Sequence, residues 1–309
     1  MDALMDARTK NLGAFVPSCE PILIPHFPPV WAEVFGEDDC GIFAECSVKG
    51  VPFVWRWICP GRFRMGCDPE DERGYDDEKP QHDVVLTRGF WLGETPVTQA
   101  QWQAVMGDNP SQFQGAERPV EQVSWQDSRD FAAKLNALLP GLHAALPTEA
   151  QWEYACRAGT QSAFHDGSPC TEPDGKDLAL DKLGWFDKNS GGETHDVKEK
   201  KVANAWGLYG MHGNVLEWCR DAWDTAAYSK RAGLTLDPET KDDDDSADRV
   251  MRGGSWFDQA QYCRAACRFW LPPGARWYAL GLRLAAGQEP RAAEPPQERS
   301  DAPERRSRG

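Results

Sequence analysis

The chain of 309 residues contains no run of about 18 apolar residues, so no transmembrane helix is expected from it. Its first ten residues, MDALMDARTK, carry acids and no long apolar region. They make a poor secretion signal, and the expected location is the cytoplasm. Ten cysteines are present without a single Cys-x-x-Cys pair, and most are therefore read as reduced, buried small hydrophobes. The six histidines lack His-x-x-His and His-x-x-x-His spacings, which argues against a histidine-based zinc or iron site. Positive charge is scarce: 34 Lys and Arg stand against 49 Asp and Glu, for a net charge of −15. Such a balance disfavours unaided binding to nucleic acid or to an anionic membrane, and neither is expected as a partner. A solvated acidic surface accounts for it. The acid run 242–245 lacks the spaced ligands of a calcium loop and reads as a solvated loop. No internal repeat is evident.

What the chain does have is tryptophan, in 14 copies, and a hydrophobic content of 40%, enough for a sizeable core. Residues 1–40 are Pro-rich and read as an extension packed along the domain. From residue 41, IFAECSV, Lys49-Gly50 and VPFVWRWI read as a hairpin, followed by further strands at RFRMG and in HDVVLTRGFWLG. Thr98-x-x-Gln101 and Thr148-x-x-Gln151 are capping boxes that open helices, and a third helix is expected from Ser124 onward. On it, Trp125, Phe131, Leu135, Leu138 and Leu139 would form a buried stripe. Asp127, Asp130 and Glu153 are placed on solvated helix surfaces. Beyond residue 159 periodicity fades into loops. The tail 288–309 is rich in Pro and charge and is expected to be disordered.

The segment RGGSWFDQAQYCRAACRFWLPPGARWYALGLRL, residues 252–284, concentrates aromatics without a helical or strand period. Interrupted by Pro272 and Pro273, it reads as a loop-borne surface.

Seven blocks then identify a resemblance. RFRMG, DDEKPQHDVVLTRGFWLGETPVTQAQW, RPVEQVSWQDSRDF, LPTEAQWEYACRAG, NAWGLYGMHGNVLEW, RVMRGGSW and GLRL follow one another across roughly residues 51–286. In that order they resemble the sulfatase-modifying-factor family, typified by the formylglycine-generating enzymes. The resemblance implies an α+β, C-type lectin-like fold of the formylglycine-generating-enzyme type. Short twisted antiparallel sheets, two or three helices and many long loops would occupy 41–287. The family is functionally mixed: copper-dependent oxidases of a substrate cysteine, iron-dependent members with a separate histidine-rich domain, and non-catalytic members. The last include the ligand-binding variable proteins of diversity-generating retroelements. Fold therefore does not settle function.

The oxidases hold copper(I) with two thiolates in the pattern Gly-Gly-Ser-aromatic-x-Cys-x4-Cys. Here Gly253, Gly254, Ser255, Trp256 and Phe257 are followed by Asp258, and Cys263 occupies the second cysteine position. Aspartate is a hard ligand that holds copper(I) poorly, so copper is not expected. Cys263 stays the single catalytic candidate. Cys267, four residues on, could form a different dithiolate pair with it, or both could be plain buried cysteines. The iron branch is disfavoured because its histidine domain has no counterpart. His212 falls in a motif whose usual role is structural. The GNVLEW block implies calcium held by the carbonyls of Gly213 and Val215 and the carboxylate of Glu217. Gly210 replaces the usual upstream Asp or Asn, and Glu217 could instead pair with a nearby cation.

The reading is a catalytically degenerate binding module. Trp256, Phe257, Asp258, Gln259, Tyr262, Phe269, Trp270, Leu271, Trp277 and Tyr278 would form a surface for an unknown protein or small ligand. The variable proteins are the nearest functional analogue. A copper oxidase using Cys263, and a structural module of a larger bacterial assembly, remain alternatives.

Overall fold

A computed structural model describes residues 28–71, 73–199, 202–231, 233–242 and 245–287. The tail 288–309 and most of the N-terminal extension lie outside the described residues. Within them, the hairpin forms where its turn allows it. Lys49 and Gly50 both take positive φ, 52° and 79°, which suits a two-residue turn matched to strand twist. β2 (Gly41–Val48) and β3 (Val51–Ile58) pair around it, with Val48 opposite Val51. Alternation decides the faces: Ala44, Cys46 and Val48 are buried along β2. β1 (Val34–Asp38) pairs with β2 as an edge strand, so the sheet reaches back into the stretch read as an extension.

Three small sheets organise the chain. The first carries β1, β2, β3, β6 (Phe90–Gly93) and β12 (Ala285–Ala286). The second is β4 (Gly61–Met65), β5 (His82–Leu86) and β8 (Leu234–Leu236). The third has the order β10 (Arg268–Leu271), β9 (Arg249–Arg252), β7 (Leu216–Ala222), β11 (Leu280–Leu282). Two pairings depart from the antiparallel expectation, β5 with β8 and β7 with β11, both parallel. Parallel neighbours need a long connection, and here nearly half of the chain separates β5 from β8.

α1 (Gln99–Met106), α2 (Trp125–Leu138) and α3 (Glu149–Arg157) each begin with a full capping box. In α2 the box is Ser124 with Asp127, so Asp127 is spent on the helix start instead of standing free. Trp125, Phe131 and Leu135 are buried as the stripe requires, whereas Leu138, in the last turn, is half exposed. Two single-turn helices, α4 (Leu180–Leu183) and α5 (Ala227–Lys230), occur in the loop-rich second half. The core is aromatic: Trp102 stacks on Phe131 at 5.0 Å between α1 and α2, and Trp31 meets Trp55 and Trp91 edge-on.

Candidate functional site

The segment after β9 folds back at two glycines. Gly253 and Gly254 have φ of 104° and 68°, and a Cβ on Gly254 would lie 2.6 Å from Cys263 Sγ. Only glycine permits that turn and that approach. The chain then runs through a 3-10 turn, Ala260–Cys263, and returns as β10, antiparallel to β9. Pro272, Pro273 and Gly274 lead it across to β11 on the other edge of the same sheet.

Four buried arginines bolt this excursion to the scaffold. Arg252 donates to the carbonyls of Ala265 and Ala266 at 2.9 and 2.7 Å and pairs with Glu153. Arg264 grips Glu78 through two bonds of 2.8 Å. Arg268 holds Glu149 at 2.6 and 3.0 Å and the Asp77 carbonyl at 2.9 Å. Arg283 pairs with Glu217 at 2.8 Å and donates to the carbonyls of Gly93 and Tyr209. Bidentate guanidinium–carboxylate contacts fix angle as well as distance, so the backbone of 252–283 is held at both ends and in the middle. Glu153 corrects the expectation of a solvated helix acid: it is fully buried, paired with Arg157 and Arg252, and accepts the Gly66 N–H at 2.9 Å. A carboxylate can be buried there because two guanidiniums compensate it. The acid run is likewise not wholly solvated, since Asp242 and Asp245 pair with Arg249.

The ten residues expected on the surface do not form one patch. Phe257 is 53% exposed and Trp270 48%. Asp258, Gln259, Tyr262, Phe269, Leu271, Trp277 and Tyr278 are half-buried, and Trp256 is buried. One ring group joins Trp256, Phe257, Trp277 and Tyr278, with centroids 5.4–6.2 Å apart along that cluster. Trp256 is its floor, resting edge-on against Phe113 and donating its Nε1–H to the Tyr278 carbonyl. In a second group Tyr262 stacks on Tyr75 and meets Phe269 at a tilt. Trp270 stands apart beside Trp223, because strand alternation points it away from Phe269 and Leu271, which pack toward the core.

Asp258 follows Phe257. Its Oδ2 accepts the Ser255 hydroxyl at 2.6 Å, and burial, reinforced by the neighbouring Asp187, pushes its carboxyl above the usual range. Cys263 is fully buried; burial, with Asp258 adding to it, drives its thiol well above the ordinary value. Such a thiol is not a thiolate near neutral pH. Cys267, also buried, faces Glu78 and Arg264, and its thiol is raised by burial too. A hard carboxylate beside a protonated, enclosed thiol does not fit a two-thiolate copper(I) site. His212 donates from Nδ1 to the Cys263 carbonyl at 2.7 Å and accepts the His165 N–H at Nε2, and burial pushes its imidazole down to about 3. It staples the loop from beneath.

In the GNVLEW block the one carboxylate is already paired. Both Glu217 oxygens are engaged, by Arg283 and by the Trp152 indole N–H at 2.7 Å. The Gly213 carbonyl accepts from Val215 N–H at 3.0 Å. With a guanidinium already neutralising its one carboxylate, the trio Gly213, Val215 and Glu217 does not fit a calcium ion.

Cavities of about 450 and 590 Å³ lie elsewhere, one beside Val54, Glu94 and Lys198, the other beside Trp125, Arg220 and Arg249. Neither is lined by the 256–280 segment.

The sulfatase-modifying factor enzyme 1-like domain matches residues 54–288. The chain belongs to that family. Its match begins within β3, although β1 and β2 complete the same sheet. The formylglycine-generating enzyme of Mus musculus is 33% identical over 218 residues, 68% of this chain and 55% of that enzyme. The inactive C-alpha-formylglycine-generating enzyme 2 of Bos taurus is 30% identical over 217 residues, 68% of this chain and 61% of that one. The chain thus spans little more than half the length of these two relatives. Among solved structures, Treponema denticola variable protein 1 matches with a TM-score of 0.68 at 30% identity, covering 80% of this chain and 99% of that one. The family member described here has the C-type lectin-like fold of the formylglycine-generating type.

Sequence reading placed the aromatics in this segment but missed the arginines that hold it. The signal was present as CRAACRF and GLRL, arginines set among small and apolar residues where a solvated charge has no place.

Proposed function

We propose that this chain is a binding module on the formylglycine-generating-type scaffold, with the 256–280 excursion as its contact surface. The observation that carries it is the pairing of exposed aromatics with a locked backbone: Phe257 on a loop and Trp270 on β10 face outward from an excursion bolted by four buried arginines. Rings held this way offer contact area with little ordering left to lose on binding. The relation to a variable protein supports the reading. The buried, protonated Cys263 beside Asp258 supports catalytic degeneracy, as does kinship with a relative named inactive.

Cross-linking and purification from the native host tests the surface, comparing the wild type with Phe257→Ser/Trp270→Ser. The wild type should retain a partner that the double variant loses at an unchanged melting temperature. Identical recoveries would sink the proposal. The oxidase reading is tested by incubating the protein with copper(I), oxygen and a Cys-x-Pro-x-Arg peptide. No loss of mass corresponding to conversion of cysteine to aldehyde is expected.

A further inference from the structure

The charges around the Phe257 ring group do not cancel. Arg276 is engaged by Asp127 at 2.7 Å, and Lys188 by Asp187 Oδ2 at 2.7 Å. Arg264 and Arg268 are buried against Glu78 and Glu149. Asp258, the one acid of the 256–280 segment, has the Ser255 hydroxyl and, among the described residues, no cation as its side-chain partner. Asp187 reaches the same place through its N–H, which donates to the Asp258 carbonyl at 3.0 Å, and its Oδ1 is buried without a hydrogen-bond partner among the described residues. An uncompensated carboxylate, a second one behind it and four aromatic rings attract the same chemistry, a cation able to lie against π-faces. The net charge of −15 adds a long-range field of the same sign.

We infer that the Trp256–Phe257–Asp258 corner docks a basic segment of a partner protein, a lysine or arginine side chain pairing with Asp258 while its stem lies on Phe257 and Tyr278. This rests on the binding reading above and names its partner. A protein is favoured over a small cation because Phe257 stands out at 53% exposure, and small ligands need an enclosing pocket whereas protein surfaces do not. Half-burial makes the pair stronger than one in open solvent. The raised carboxyl of Asp258 agrees, since a site that disfavours its own negative charge gains most from an arriving positive one.

Fluorescent hexalysine is the probe, measured by anisotropy at low salt against wild type, Asp258→Asn and Asp39→Asn. Asp39 lies exposed in the β1–β2 turn, so its variant removes the same unit of charge away from the 256–280 segment. Asp258→Asn should weaken binding about tenfold while Asp39→Asn leaves it nearly unchanged. Hexalysine acetylated at every side chain should not bind the wild type, a comparison that needs no variant to fold. Equal weakening by both variants, retention of the acetylated peptide, or no hexalysine binding would each overturn the inference. If Phe257→Ser/Trp270→Ser loses a cellular partner that Asp258→Asn keeps, the surface binds by apolar contact and the charge assignment fails alone.

Discussion

Glu121 is fully buried, with Oε1 accepting the Phe113 N–H at 2.8 Å and Oε2 meeting no hydrogen-bond partner among the described residues. Burial pushes its carboxyl from 4.5 up to about 7. The folded chain therefore holds a proton that the unfolded chain releases between those values. The stability this contributes is complete below about 4.5 and is lost as pH rises through 7. Glu121→Gln should raise urea stability at pH 8 by on the order of 2–3 kcal/mol and change it little at pH 4.5. A gain equal at both values would point to packing instead of charge. Thiol burial gives a second residue-level expectation. Iodoacetamide should leave Cys263 and Cys267 unmodified in the native protein, as peptide mass mapping would detect, and alkylate both in urea. Native labelling of Cys263 would reopen the oxidase reading. The site was legible only in part at this scale. Asp258 at a copper position could be read from a motif. The arginine partners could not, because Arg252, Arg264, Arg268 and Arg283 find acids 99, 186, 119 and 66 residues away.

Elements with local causes were the readable ones. The Lys49-Gly50 hairpin and the three helix starts each depend on residues within a few positions, and each formed where its sequence placed it. The parallel ladders β5–β8 and β7–β11 carry no such mark, since each joins segments that only the finished fold brings together. Ser124→Ala removes the acceptor for the Asp127 N–H at the start of α2 and should cost about 1 kcal/mol in urea unfolding. Along the third sheet, exposure ranks two tryptophans. Trp270→Ala on β10 should cost under about 1 kcal/mol, and Trp218→Ala on β7, wholly buried with its indole N–H on the Val123 carbonyl, about 3–5 kcal/mol. Severe destabilisation by Trp270→Ala would mean that a core ring has been mistaken for a contact ring.

A few fully buried ion pairs tie distant parts of the chain together. Arg252→Met strands Glu153 with Arg157 alone and should destabilise by about 3–5 kcal/mol, read as a fall in the urea midpoint. Adding Glu153→Gln should recover part of that loss, and failure to recover any would assign the cost to lost packing. The end of the described chain has a consequence of another kind. β11 and β12, at Leu280–Leu282 and Ala285–Ala286, complete two different sheets, closing on β7 and on β6. During synthesis neither sheet can finish until nearly all of this domain has left the ribosome. Until then the Trp91 and Trp218 strands lack a neighbour, and the nascent chain exposes two unfinished edges at once. Completion of both sheets is therefore one late event, and a chain stopped before Leu280 would present both open edges to any neighbour.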